Sequence, residues 1–309
     1  MARYKNYDPS QGQFLIINFA DQLIPGTFEH TINYLIENKL DLSILDYHYK
    51  NDATGAPAYN PGILLKIILY SYSLGINSSG KMEQLCRTNI IMKSLTVDSH
   101  PHFTVLSDYI VLMKDEIQRL FVQLLLVCEE LDLMGKTVFA IDGCKLPSNA
   151  AKEWSGTFAD LEKKKAKFEQ LSNQLLERHS KQDSVETNGN DISEEKKKRI
   201  ENINRKVKRI DAFLKNNTKK MGPRKKEVQS NITDNESAKI KSSKGIIQGY
   251  NGIAVADEKN QIIVAAEAFG RGQEQRFFGP LVEQTEKNLK TVTGENDSGG
   301  YRVFFVRII

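Results

Sequence analysis

Asp142 closes the apolar run Thr137-Val138-Phe139-Ala140-Ile141, with Gly143 directly behind it. A carboxylate delivered at the end of a buried strand is placed to hold a divalent cation. Magnesium takes oxygen ligands in sets, and sites that cleave phosphodiesters hold two ions about 4 Å apart between several acids. A single Asp does not do this, so a catalytic Asp142 requires partner acids on later elements. From position alone, a strand-end Asp capping the next turn is the commoner reading. The second concentration of chemistry is cationic: Lys196-Lys197-Lys198-Arg199, then Arg205, Lys206, Lys208 and Arg209. Such a run can track a phosphate backbone, or it can be the solvated face of a helix.

The charge is unevenly distributed. The chain has 309 residues and a net charge of +4. Between Asp160 and Glu227 there are twenty Lys/Arg against twelve Asp/Glu, and the remainder is slightly acidic. This localised basic excess points to a polyanionic partner for one segment. The length allows about two domains, each able to bury a core. Hydrophobic content is 40%, and no apolar run approaches the roughly 20 residues of a membrane span. The N-terminus lacks a signal-peptide core, so a cytoplasmic location without membrane association is expected. Cys86, Cys128 and Cys144 have no short spacing and suggest neither disulfides nor a zinc site.

Helical patterns precede the Asp142 strand. Thr27 is placed to cap a helix through Asn38, Pro61 to open one ending near Gly75, and Ser79 to start a short one. From Ser107 the apolar spacing predicts one long helix to Leu131. After Asp142, Thr157 to Asp160 reads as a capping box. Leu161, Phe168, Leu171 and Leu175 form one helical seam. Following a polar loop and a second capping box at 191–194, Ile200, Ile203, Val207, Ile210 and Leu214 form a heptad seam. The two predict an antiparallel helical hairpin with coiled-coil packing. Residues 246–256 and 261–268 read as strands around a turn containing Asp257, residues 275–290 as a helix, and Val303 to Ile309 as a last strand.

With the hairpin set aside, the order is a strand ending in Asp142, two antiparallel strands, a helix and a further strand. That order begins a ribonuclease-H-like domain, whose fourth strand lies parallel to the first. The predicted class is therefore α+β. An all-helical N-terminal domain covers residues 1–134. An incomplete ribonuclease-H-like domain covers residues 135–309 and is interrupted by a helical hairpin at 157–222.

Several motifs carry a resemblance. They are Tyr59-Asn60-Pro61-Gly62-Ile63-Leu64-Leu65-Lys66, Tyr70-Ser71-Tyr72-Ser73-Leu74-Gly75-Ile76 and Ser79-Gly80-Lys81-Met82-Glu83. Further on stand Ala140-Ile141-Asp142-Gly143-Cys144-Lys145-Leu146, Asn149-Ala150-Ala151-Lys152 and Asn231-Ile232-Thr233-Asp234. Gln248-Gly249-Tyr250-Asn251, Ala254-Val255-Ala256-Asp257 and Gly272-Gln273-Glu274 complete the series. In order and spacing the chain resembles DDE-type insertion-sequence transposases, over roughly residues 25–305. The resemblance implies magnesium-dependent cleavage and strand transfer at transposon ends, with Asp142 as first catalytic acid and metal ligand. It also implies DNA as partner and homo-oligomeric assembly. Family members follow the last strand with Ala-Asp-Ser/Thr-Gly-Tyr, then a later Glu; here Val306-Arg307-Ile308-Ile309 stands instead. The expectation is a C-terminally truncated transposase, inactive alone, with an exposed last strand that lowers solubility. Asp297-Ser298-Gly299-Gly300-Tyr301 imitates the missing motif but precedes the strand, and is read as a loop. The alternative is a non-enzymatic DNA-binding or assembly protein of transposase descent.

Other residues carry two readings each. Lys145, three residues after Asp142, can reach a phosphate or sit at the surface. Trp154 can stack on a flipped base or pack. Asp257 reads as a turn residue, and His100 and His102 flank a proline with no further ligands near in sequence.

Overall fold

The computed structural model describes residues 16–49, 57–183, 194–222, 225–242, 245–271, 277–294 and 304–307. The chain divides into two compact units, Met1–Leu133 and Met134–Ile309.

The first unit is helical. Helix α1 (Phe28–Asn38) starts where the Thr27 side chain accepts the His30 N–H. α2 (Pro61–Ser73) has proline at its first turn, and Asn60 accepts the Gly62 N–H at 2.7 Å. α3 (Ser79–Thr88) leads directly into α4 (Ile90–Thr96). The second of these was not expected: Asn89 ends one helix in an extended conformation, and its side chain caps the next by accepting from Met92. α5 (Phe103–Leu112) is capped by His102, whose Nδ1 accepts the Thr104 N–H, so this histidine has a structural task. Ile32, Ile36, Leu64, Ile67, Met82, Cys86, Met92, Leu95 and Leu106 form the core. Lys66 is buried among them, with its ammonium 2.5 Å from Glu37.

The single long helix expected from Ser107 to Leu131 is instead two. α5 stops at Leu112 and α6 runs Ile117–Glu130. The break coincides with Glu116, which is only 2% exposed. Its Oε1 accepts from the Tyr47 hydroxyl and lies 3.1 Å from His48 Nε2, both in the 3-10 turn Leu42–His48. A buried carboxylate must find partners, and these contacts to one of its oxygens anchor the 113–116 turn.

The second unit is built on a sheet. β1 (Val138–Pro147) extends five residues past Asp142. β2 (Ser155–Gly156), α7 (Phe158–Asp183), α8 (Glu194–Asn216) and β3 (Ser230–Asn231) follow. Then come β4 (Ala238–Ser242), β5 (Gly245–Asp257), β6 (Ile263–Phe269), α9 (Phe278–Thr293) and β7 (Phe304–Arg307). β5 pairs antiparallel with β1 along one edge, with Asp142 opposite Ala254. Its other edge is shared end to end by β4 and β6. β7 pairs with the far side of β1 and runs parallel to it, Val138 opposite Phe304 and Ile141 opposite Arg307. α9 lies against β6, where Asn288 donates to the Val264 carbonyl at 2.8 Å. β4 was not expected from the sequence. Among its five residues only Ile240 is fully buried, so it carries little period-two signal.

α7 and α8 pack in opposite directions, since Lys165 meets Asp211 and Ser172 meets Asn204. The Thr157–Asp160 capping box forms, with Thr157 donating to Asp160 Oδ2 and accepting from the Asp160 N–H. The second box, apart from Glu194, lies outside the described residues, as do Gly272-Gln273-Glu274 and Asp297 to Tyr301. The seam differs by one position from expectation. Leu171 is exposed while Ser172 is buried and bonded to Asn204. Leu161, Ile210, Phe158 and Phe213 form the apolar contact at the base. Asp211 is bound by Lys165 first and Lys215 second, which holds its carboxyl down at about 2.

Candidate functional site

Within β1 the side chains alternate. Phe139 and Ile141 are buried on one face, while Ala140, Asp142 and Cys144 share the other. Opposite these on β5 stand Ala256, Ala254 and Gly252, and beyond Ala254 and Gly252 on β6 stand Ala266 and Ala268. The Asp142 carboxylate therefore rises from a floor of small side chains, and it is exposed. Its Oδ1 accepts the Gly143 N–H at 2.7 Å, which fixes one oxygen against the strand.

Magnesium accepts one or two carboxylates when phosphate and water complete its shell. Among the described residues no three His, Cys, Asp or Glu side chains converge to hold a metal ion. Asp142 alone does not make a two-metal site.

Lys145 faces away from Asp142. The β1–β5 pairing runs without a bulge from Phe139 to Pro147, so a three-residue offset puts the two on opposite faces. Lys145 is half-buried and sits opposite Asn251.

The motifs around Asp234 interlock. Ser148 donates to Asp234 Oδ2 at 2.6 Å, and Tyr250 donates to Oδ1 at 2.7 Å. Oδ1 also accepts the Ser237 N–H. Burial pushes the Asp234 carboxyl up, but the Ser148, Tyr250 and backbone bonds together outweigh it and leave the pKa below its ordinary value. Burial, reinforced by the Asp234 charge, pushes the Tyr250 phenol up. Gln248 continues the chain, accepting from Ser155 and donating to Ser237. Asn231 donates to Ser155 and to the Ala151 carbonyl. Gly249 permits the crossing of β5 and β1: a Cβ there would lie 2.1 Å from the Leu146 carbonyl oxygen. Asp234 is thus the hub of this network, a place that sequence reasoning did not assign to it. The signal was its presence in a motif; its partners lie far away in sequence.

Asp257 is buried and accepts N–H bonds from Gly135, Lys136 and Lys259, as a turn-stabilising carboxylate should. The cationic residues of α8 are mostly outward. Lys198, Arg199, Arg205, Lys206, Lys208 and Arg209 are exposed and Lys197 half-buried, while the Lys196 side chain lies outside the described residues. Arg205 binds Asn202 at 2.5 Å, and Arg209 binds Thr233 at 2.8 Å. Trp154 is half-buried at the base of the helices, 6.4 Å from Phe168 between ring centroids. Lys164 lies 4.8 Å from its ring centre and Arg209 5.7 Å. Both cations lie over its ring, so the indole is engaged within the fold.

Residues 18–111 match the family model described as "Transposase domain (DUF772)". This span includes α1 to α4 and nearly all of α5, together with the Tyr59–Lys66, Tyr70–Ile76 and Ser79–Glu83 motifs. No curated protein and no solved structure matches the chain. The family match supports a transposase-related function with DNA as partner. Among the described residues no helix is long and apolar enough to cross a membrane.

Proposed function

We propose that this chain is a DNA transposase of the DDE type, acting at transposon ends as a homo-oligomer. Asp142 is the first acid of a magnesium-binding set, and the fold around it is ribonuclease-H-like with a coiled-coil insert at α7–α8. The observation that carries this reading is the sheet register. β1 holds an antiparallel neighbour on one side and a parallel one on the other, and Asp142 stands one residue past the β7 pairing. That is where the carboxylates of such a fold meet. The open floor of Ala254, Ala266 and Gly252 leaves room for a phosphodiester to reach the carboxylate. The transposase-domain match in the other unit supports the same reading independently.

Magnesium, once held by the full set, would activate the attacking oxygen and stabilise the leaving one. Asp142 contributes one oxygen ligand to that set, with Gly143 orienting its carboxylate.

A second reading is a DNA-binding or assembly protein of transposase descent that performs no cleavage. It draws on the exposed cations of α8 and needs no converged acids. Strand cleavage in magnesium by wild type and Asp142→Asn separates the two. Cleavage lost in the variant, with duplex binding retained, supports the transposase; salt-dependent binding by both without cleavage supports the second reading.

A further inference from the structure

Side chains from α7, α8 and the segment after β3 gather around Trp154 and Phe168. Lys164 from α7 lies 4.8 Å from the indole centre, and Arg209 from α8 lies 5.7 Å from it. Lys206, one helical turn before Arg209, lies 5.6 Å from the centre of Phe168, whose ring is tilted beside the indole. Thr233, from the segment after β3, accepts from Arg209 at 2.8 Å. Lys164 also donates to the Glu153 carbonyl.

These cations differ from their neighbours on the same helices. Lys165 and Lys215 both bind the Asp211 carboxylate, which offsets their charge, and Lys165 also meets Glu169. Among the described residues, Lys164, Lys206 and Arg209 pair with no carboxylate. Aromatic faces, a hydroxyl and a carbonyl hold them instead. Such partners restrict the side chains without cancelling their charge. Three cations gathered around two neighbouring rings repel one another, and an external polyanion relieves that repulsion. The cluster also sits in the segment that carries the chain's basic excess.

We propose that Lys164, Lys206 and Arg209 form a phosphate-backbone site for duplex DNA, in which Trp154 and Phe168 position the cations and do not stack on bases. It rests on the DNA reading given above. It adds Lys164 as a contact residue, and it makes Trp154 a positioning residue.

The test is a salt titration of full-length protein against a short labelled duplex of arbitrary sequence, between about 50 and 200 mM salt. Lys164→Ala and Arg209→Ala should each weaken binding and lower the slope of log affinity against log salt by about 1, and the double variant by about 2. Trp154→Ala should weaken binding, and Trp154→Phe should restore most of it. Thermal unfolding followed by circular dichroism accompanies each variant. Lys164→Gln and Arg209→Gln, which keep the packing and remove the charge, replace any alanine variant that fails to fold. An unchanged slope in Lys164→Ala and Arg209→Ala, alongside a reduced one in Lys198→Ala or Arg199→Ala, overturns this site and leaves the DNA reading standing. Binding to phosphatidylserine vesicles with no duplex binding by wild type overturns both.

Discussion

The Tyr250 hydroxyl donates to Asp234 Oδ1 at 2.7 Å and ties the middle of β5 to the segment returning from α8. The other Asp234 oxygen accepts from Ser148, just past the end of β1. One carboxylate therefore ties β5 and the end of β1 to the segment between β3 and β4.

This linkage makes stability depend on acid. The Asp234 pKa is depressed in the folded protein, so its contribution is complete above the ordinary Asp value near 4. As pH falls from about 4 toward the depressed folded value, that contribution is lost. Urea unfolding across this range should show a shallower loss in Asp234→Asn than in wild type. At neutral pH the variant should be less stable by about 1–3 kcal/mol, because Ser148 and Tyr250 lose a charged acceptor.

The α7–α8 seam has a direct mutational signature. Ile210 is fully buried and Leu171 is 38% exposed. Ile210→Ala should cost about 2–5 kcal/mol by leaving a cavity, and Leu171→Ala well under about 1 kcal/mol. Equal costs in chemical denaturation would restore Leu171 to the inner seam.

Gly249→Ala should destabilise the β1–β5 ladder by roughly 1–3 kcal/mol or more, since the new methyl overlaps the Leu146 carbonyl. Amide exchange should quicken along both strands in this variant. Unaltered protection would mean that the two backbones do not approach as closely as described.

In the helical unit, Lys66 is buried and its partner Glu37 is largely exposed. Glu37→Ala leaves a buried ammonium without its carboxylate and should cost on the order of 1–2 kcal/mol. Lys66→Met removes the charge and keeps the volume, so thermal unfolding should show a smaller loss.

The principal strands and the positions of most helices were legible because their apolar residues repeat at the periods of those elements. Val138 to Ile141 and the α2 run are examples. What was hidden depends on partners far away. The α5–α6 break follows from Glu116 meeting Tyr47, 69 residues earlier. The seam shift follows from Ser172 finding Asn204, which lets a polar residue take the place that the leucine spacing assigned to Leu171. In the site, Asp142 was recognisable from its strand and its motif. Asp234 was not, since its bond to Ser148 spans 86 residues. The opposite facing of Lys145 required only that β1 extend past Asp142, which Gly143 concealed by resembling a strand end.

The most direct test of the account is strand cleavage of duplex DNA carrying the transposon end, by the purified protein, with and without magnesium. Wild type and Asp142→Asn are compared, with duplex affinity measured on the same preparations. The account predicts that any magnesium-dependent cleavage by wild type falls at least about 10³-fold in Asp142→Asn, on the scale of losing an essential group, while affinity stays the same. Equal cleavage by the two proteins would contradict the role given to Asp142. Tight duplex binding with no cleavage by either protein would leave the DNA-binding reading.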